Sequence, residues 1–157
     1  MYRRSLLPGL IAGAISSVVP HPGVADPSSP AVEQRRQAPA AATADSEYNR
    51  GVRARLVTDW GAAATAFRRA IALRPDFADA WNELGYALRH LGRYAESLQA
   101  YDQALRLRPN FAEALEYLGE AYVQLGRLDD ARRVLDRLSA LDAARARDLS
   151  EEIEKRR

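Results

Sequence analysis

The sequence has no cysteine, one methionine and two histidines among 157 residues, and its lysine count is a single residue, Lys155. Without cysteine there is no disulfide, thiolate zinc site, iron–sulfur cluster, cysteine nucleophile or lipid-accepting thiol. Two histidines, His21 and His90, offer little for an imidazole base or a nitrogen-rich metal site. An excess of one charge is also missing. Lys plus Arg is 23 against 21 for Asp plus Glu, a net of +2, which gives no long-range field for nucleic acid. There is no glycine-rich phosphate loop, no nucleophile elbow and no metal-spaced cluster of His and acids. The expectation is therefore a protein that is not an enzyme and carries no cofactor and no metal. What is present is 47% hydrophobic residues, the mark of a folded chain, at a length that suits one domain or a short repeat array.

The chain starts with Tyr2, Arg3 and Arg4, followed by fifteen uncharged residues from Ser5 to Val19. A charged start and an apolar run are the first two parts of a secretory signal. Gly23 and Ala25 then supply small residues for a peptidase site before Asp26. An uncleaved anchor and a buried helix are the competing readings. Fifteen residues make roughly 22 Å of helix, short of the hydrocarbon core of about 30 Å, and Pro8 and Gly9 weaken a span further. The reading adopted is a cleaved signal over residues 1–25 and a periplasmic or secreted product. Cleavage would remove Arg3 and Arg4 and no acid, leaving basic and acidic side chains equal in number, so the isoelectric point near 9.1 belongs to the precursor. Residues 26–43 contain Pro27, Pro30 and Pro39 and no aromatic residue. Such a segment buries too little surface to offset chain entropy and reads as a semi-extended Pro/Ala linker. Arginine far outnumbers lysine amid many alanines, a usage that fits a bacterial genome rich in G and C.

Beyond the linker the chain repeats itself. The segment ALRPDFADAW, Ala72 to Trp81, recurs as RLRPNFAEAL, Arg106 to Leu115. The same offset relates Gly85 to Gly119, Gly92 to Gly126, Phe67 to Tyr101 and Ala70 to Ala104. Three copies follow: 44–77, 78–111 and 112–145. In the second, Trp81, Leu84, Leu88 and Leu91 form one helical stripe, and Tyr94, Leu98, Tyr101 and Leu105 form another. Gly92 separates the stripes by only a few residues, which predicts an antiparallel helix pair that ends before Pro109. Asp76 with Asp79, and Asn110 with Glu113, have the spacing of capping boxes at the following helices. The tail 146–157 places Ala146, Leu149 and Ile153 on one face and reads as a capping helix. The pattern is compatible both with a break before that helix and with one long helix running on from the third copy.

Trp81, Leu84, Gly85, Gly92, Tyr101, Ala104 and Pro109 resemble the tetratricopeptide repeat family. The third copy fits through Leu118, Gly119, Tyr122, Gly126, Ala131 and Leu135, with Ala143 in place of the final proline; the first fits through Gly51, Ala63, Phe67, Ala70 and Pro75. Glu47 and Arg50 stand where that family has large apolar residues, as a polar end cap would require. The resemblance implies an all-α, right-handed solenoid of three helix–turn–helix repeats plus a capping helix, and an exported bacterial member of the family. It also implies a concave groove lined by the first helix of each repeat. Carried over residue by residue, the groove positions are Asp45, Tyr48, Val52 and Arg55; Asp79, Asn82, Tyr86, Arg89 and His90; and Glu113, Glu116, Glu120 and Gln124. Family members that grip a terminal carboxylate have lysines, asparagines and arginines at such positions. Only Asn82 survives in that role here, and the acids would repel such a ligand.

Glu113, Glu116 and Glu120 lie at i, i+3, i+7 on one helix face. A solvated stripe, a partner surface and a weak open oxygen site are the readings of that pattern. Tyr48 and Tyr86 read equally as groove anchors or as packing, whereas Trp60, Phe67, Trp81 and Tyr101 read as packing. The functional expectation is an adaptor or scaffold of the cell envelope that holds a protein or peptide segment, basic and partly apolar, without bond chemistry. The alternative is a structural protein of the envelope that self-associates through its edge helices into a homo-oligomer. No nucleic-acid partner is expected, and no membrane span after cleavage.

Overall fold

A computed structural model describes residues 41–156; the signal and most of the linker read from the sequence lie outside the described residues. Seven helices follow one another: α1 Ala44–Leu56, α2 Trp60–Leu73, α3 Ala78–His90, α4 Tyr94–Leu107, α5 Ala112–Gln124, α6 Leu128–Ser139 and α7 Ala143–Lys155. No strand occurs among the described residues. Each helix packs on the next in the chain, and α5 also meets α3 and α7 directly. The result is an all-α helical-repeat solenoid in which α1, α3 and α5 are the first helices of three pairs.

Two features make the pairs close. The turns between paired helices use the left-handed region, with Gly92 at φ 73° and Gly126 at φ 71°, where a residue without Cβ meets no steric penalty. Within the first two pairs a helical glycine admits a ring from the partner helix. A Cβ added to Gly85 would sit 2.6 Å from the ring of Tyr101, and one at Gly51 would sit 2.5 Å from Phe67. In the third pair the occupant changes, and Gly119 faces Leu149 of α7. These sockets and fully buried alanines, among them Ala63, Ala70, Ala80, Ala87 and Ala104, let helices approach nearly backbone to backbone. Trp81 packs against both core clusters, one around Phe67, Leu84 and Leu88 and one around Tyr101, Leu115, Leu138 and Leu149.

The helix starts differ from the sequence expectation. Neither Asp76 nor Asn110 caps a helix: the cap positions are Phe77 and Phe111, without a side-chain cap bond. The chain rounds a turn after Pro75, held by the Trp81 indole donating to the Pro75 carbonyl at 2.9 Å, and this carries Asp76 off the helix axis. Side-chain caps occur at three other helix starts. Thr43 and Ser46 form a reciprocal capping box on α1. Asp59 accepts from Ala62 N at the start of α2, and Asp142 accepts from Ala144 N and Arg145 N at the start of α7. Asp142 therefore separates α7 from α6, and the last helix starts ahead of the place where the repeat period would put it. Glu47 is buried rather than solvated, and sits 3.4 Å from Arg50 and 4.0 Å from Arg69.

Candidate functional site

The first helices share one face. Tyr48, Val52 and Arg55 of α1, Asp79 and Tyr86 of α3, and Glu113, Glu116 and Glu120 of α5 are half-buried there, and Asp45, His90 and Gln124 are exposed. Two groove positions lie beneath this surface instead. Asn82 is 1% exposed with its Oδ1 unpartnered, and Arg89 is 8% exposed. A helix face is wider than the set of positions that reach its crest, so residues beside a neighbouring helix are covered by it.

Two rows of charge pairs cross between elements. Along the rim, the Arg74 guanidinium reaches Asp45 at 2.6 Å, and Arg108 grips Asp79 through two bonds of 3.0 and 2.7 Å. Arg74 and Arg108 also lie over the rings of Phe77 and Phe111, at 4.3 and 4.2 Å from the centroids. The two units occupy equivalent positions in successive repeats. The third repeat breaks the row, because Asp142 stands at the arginine position and Arg145 at the phenylalanine position. Glu113, the counterpart of Asp45 and Asp79, instead accepts a hydrogen bond from the Tyr117 hydroxyl at 3.2 Å.

Along the groove floor, Arg55 of α1 meets Glu83 of α3 at 3.4 Å, and Arg89 of α3 meets Glu120 of α5 at 2.8 Å. Arg145 of α7 pairs with Glu116 of α5. Burial pushes the carboxyls of Glu83 and Glu120 above the usual range, with Arg55 and Arg89 pulling the other way. Glu116 and Glu120, read from the sequence as a face open to a cationic partner, thus each carry an arginine of the chain itself. Glu83 was missed in the sequence because its offset from Arg55 matches no single-helix spacing.

Tyr86 is the centre of an aromatic cluster. Its ring lies 5.7 Å from Trp60, 4.5 Å from His90 and 4.8 Å from Tyr117, and Trp60 stacks on His90 at 4.1 Å with 10° between planes. The guanidiniums of Arg55 and Arg89 stand 5.6 and 5.3 Å from the Tyr86 centroid. This cluster ties α1, α2, α3 and α5 together, so Tyr86 is built into the packing while its edge stays accessible. Burial and the neighbouring Arg89 lower the pKa of His90, which keeps the stacked ring neutral at pH 7. Tyr48, tilted against Phe67 and Phe77 at 5.7 and 4.9 Å, has its hydroxyl pushed up to about 12 by burial, then by Glu83, Asp79 and Glu113.

At the far end, a cleft of about 520 Å³ opens between α5 and α7. Glu116, Glu120, Val123 and Gln124 line one wall; Asp148, Glu151 and Glu152 line the other, with Arg156 at its edge. Sequence reasoning included the first wall except Val123 and missed the second, since the placement of α7 could not be read from the repeat. Among the described residues no group of three or more His, Cys, Asp or Glu is arranged to hold a metal ion. No described helix is long and apolar enough to cross a membrane.

Two family models described as tetratricopeptide repeat match the chain, one over residues 48–110 and one over 88–152. No curated protein matches the sequence. Among solved structures, the chain is similar to the TPR2B domain of yeast Sti1 in complex with pHsp70. The identity is 21% and the TM-score 0.69, over 73% of this chain and 98% of that one. The second TPR domain of human RPAP3, in complex with the HSP70 peptide SGPTIEEVD, is 23% identical with a TM-score of 0.67, over 71% and 94% of the two chains. The crystal structure of MamA is 28% identical with a TM-score of 0.62, over 67% and 61%.

Proposed function

Since the chain belongs to the tetratricopeptide repeat family, we propose that it is a protein-interaction module, an adaptor or scaffold that holds an extended partner segment along the face of α1, α3 and α5 and makes or breaks no bonds. The observation that carries this reading is the groove itself. It is a continuous face where Val52, Tyr86, His90 and Gln124 keep accessible surface above a floor cross-tied by Arg55–Glu83 and Arg89–Glu120. A floor fixed in this way presents a shaped surface before the partner arrives, which lowers the ordering cost of binding. The solved complexes of yeast Sti1 and human RPAP3 support the same use of the fold.

The preferred segment is basic and partly apolar. A peptide ending in EEVD, as in the human complex, would bring acids against Glu113 and against Asp148 and Glu151 of the cleft. The proposed place of action is the periplasm or the exterior of a bacterium, after cleavage behind Ala25. That location rests on the sequence of residues 1–25 and is tested by the mass of the protein from its native cells, which should begin at Asp26. A photo-crosslinking residue placed at Val52 or Gln124, compared with one at the exposed Arg132 on α6, tests the groove. The expected result is one discrete partner captured from the groove positions alone. Capture equal at Arg132, or no capture at Val52 and Gln124, overturns the reading.

A further inference from the structure

The groove-floor arginines recur. Arg55 and Arg89 hold the same position in the first two repeats, and each reaches from one first helix to an acid on the next, Glu83 and Glu120. The next position in this series is Val123, on α5, and the next helix along the face is α7. Val123 lines the cleft between α5 and α7 and bears no charge. Across the cleft, α7 offers Asp148, Glu151 and Glu152, and α5 contributes Glu116 and Glu120. Three of these acids have cations from the chain: Arg145 for Glu116, Arg89 for Glu120 and Lys155 for Glu152. Asp148 and Glu151 form no ion pair among the described residues; Lys155 acts on Glu151 at longer range, and the cation of the lining is Arg156. Glu120 registers the crowding, its carboxyl being pushed up by burial and further by Glu116 and Glu152 against the pull of Arg89.

At two successive steps of the same face, then, the chain fills the space between first helices with a guanidinium. At the third step Arg145 crosses from α7 to Glu116, but beside that pair the chain leaves acids and an open cleft of about 520 Å³, with valine at the position of Arg55 and Arg89. We propose that this cleft receives an arginine side chain of the partner segment, which supplies the guanidinium that Val123 does not and lies against Asp148 and Glu151 on α7. The planar fork of a guanidinium suits two carboxylates one helical turn apart better than an ammonium does. The proposal rests on the groove reading above and adds its specificity: the partner carries an arginine in the part of the segment that passes α7, and the repeat array supplies the remaining contacts.

The test is selection from a displayed library of linear peptides on the full chain, followed by titration of each selected peptide and of its copy with citrulline for arginine. The expected result is that selected sequences share an arginine and that citrulline weakens binding about tenfold, near 1.4 kcal/mol. The double variant Asp148→Asn, Glu151→Gln should remove that difference and bind both peptides at the citrulline level. Val123→Arg should do the same by supplying the guanidinium from within, and helicity by circular dichroism should match the unmodified chain in both. Peptides selected without arginine, or an arginine preference that survives both variants, overturn the arginine site while leaving the groove reading intact. Failure to select any peptide overturns both.

Discussion

The rim and the floor of the groove carry the same kind of charge pair in different surroundings. On the rim, Arg108 and Asp79 have side chains 47% and 39% exposed, so water screens them from each other and already satisfies both. On the floor, Glu83 is 8% exposed and Arg89 is 8% exposed. There the desolvation cost is largely met by the partner, and removing one member strands the other. Distance does not separate the rows: the rim bonds are 2.6 to 3.0 Å, and the floor pairs are 3.4 Å for Arg55–Glu83 and 2.8 Å for Arg89–Glu120. The lesson is that burial, and not distance, marks the pairs that are costly to break.

Substitutions on both rows sharpen that contrast. The largest effect belongs to Arg55→Met, which leaves the Glu83 carboxylate in the interior. A loss of about 3 kcal/mol at pH 7 is expected in urea melts. The loss has a definite pH sign. Glu83 already has a raised folded-state pKa, and without Arg55 it rises further, so the folded form takes up a proton more readily than the unfolded form. The deficit of the variant should therefore shrink as pH falls from 7 toward 5. A deficit that is constant over this window would mean that Glu83 relaxes into water when Arg55 is gone. Arg89→Met should cost about 2 kcal/mol, less because the Glu120 side chain keeps 29% of its surface in water.

A gain of about 1 kcal/mol is expected from Thr58→Gly, which provides a more stable background for the other variants. Thr58 has φ 57° in the turn where the second and third repeats have Gly92 and Gly126, and a β-branched residue fits that region poorly. An unchanged or lowered midpoint would show that backbone freedom in the unfolded chain outweighs the strain. The smallest effect is that of Arg108→Met on the rim, less than about 1 kcal/mol and fading in high salt. Should this loss match that of Arg89→Met, the distinction between the rows collapses.

The sequence was informative wherever a property recurs at a fixed interval. Gly85, Trp81, Tyr101 and the turn at Gly92 could be placed because each has a counterpart one repeat away, and the helix pairs followed from hydrophobic spacing. The caps were misplaced because Asp76 and Asn110 have the right chemistry one residue ahead of the cap position, and only the path of the turn after Pro75 shows it. The tie between Arg89 and Glu120 was illegible for another reason. Both residues are ordinary groove positions in a linear reading, and which acid an arginine finds depends on how far neighbouring helices slide past one another. The burial of Asn82 and Arg89 belongs to the same class of fact. So does the second wall of the acidic cleft, which exists because Asp142 starts α7 ahead of the period.

Asp142 has a consequence for the length of the molecule. Its counterparts Arg74 and Arg108 tie the end of each helix pair back to Asp45 and Asp79 on that pair's own first helix, and each is followed by the proline turn that admits another pair. Aspartate at that place instead opens a final helix and clamps its first turn. Arginine at this place thus marks a joint between repeats, and aspartate marks the entry to α7. A duplicate of residues 78–111 spliced in before residue 112 would meet familiar neighbours on both sides, and the groove would lengthen by one unit while its terminus stayed as it is.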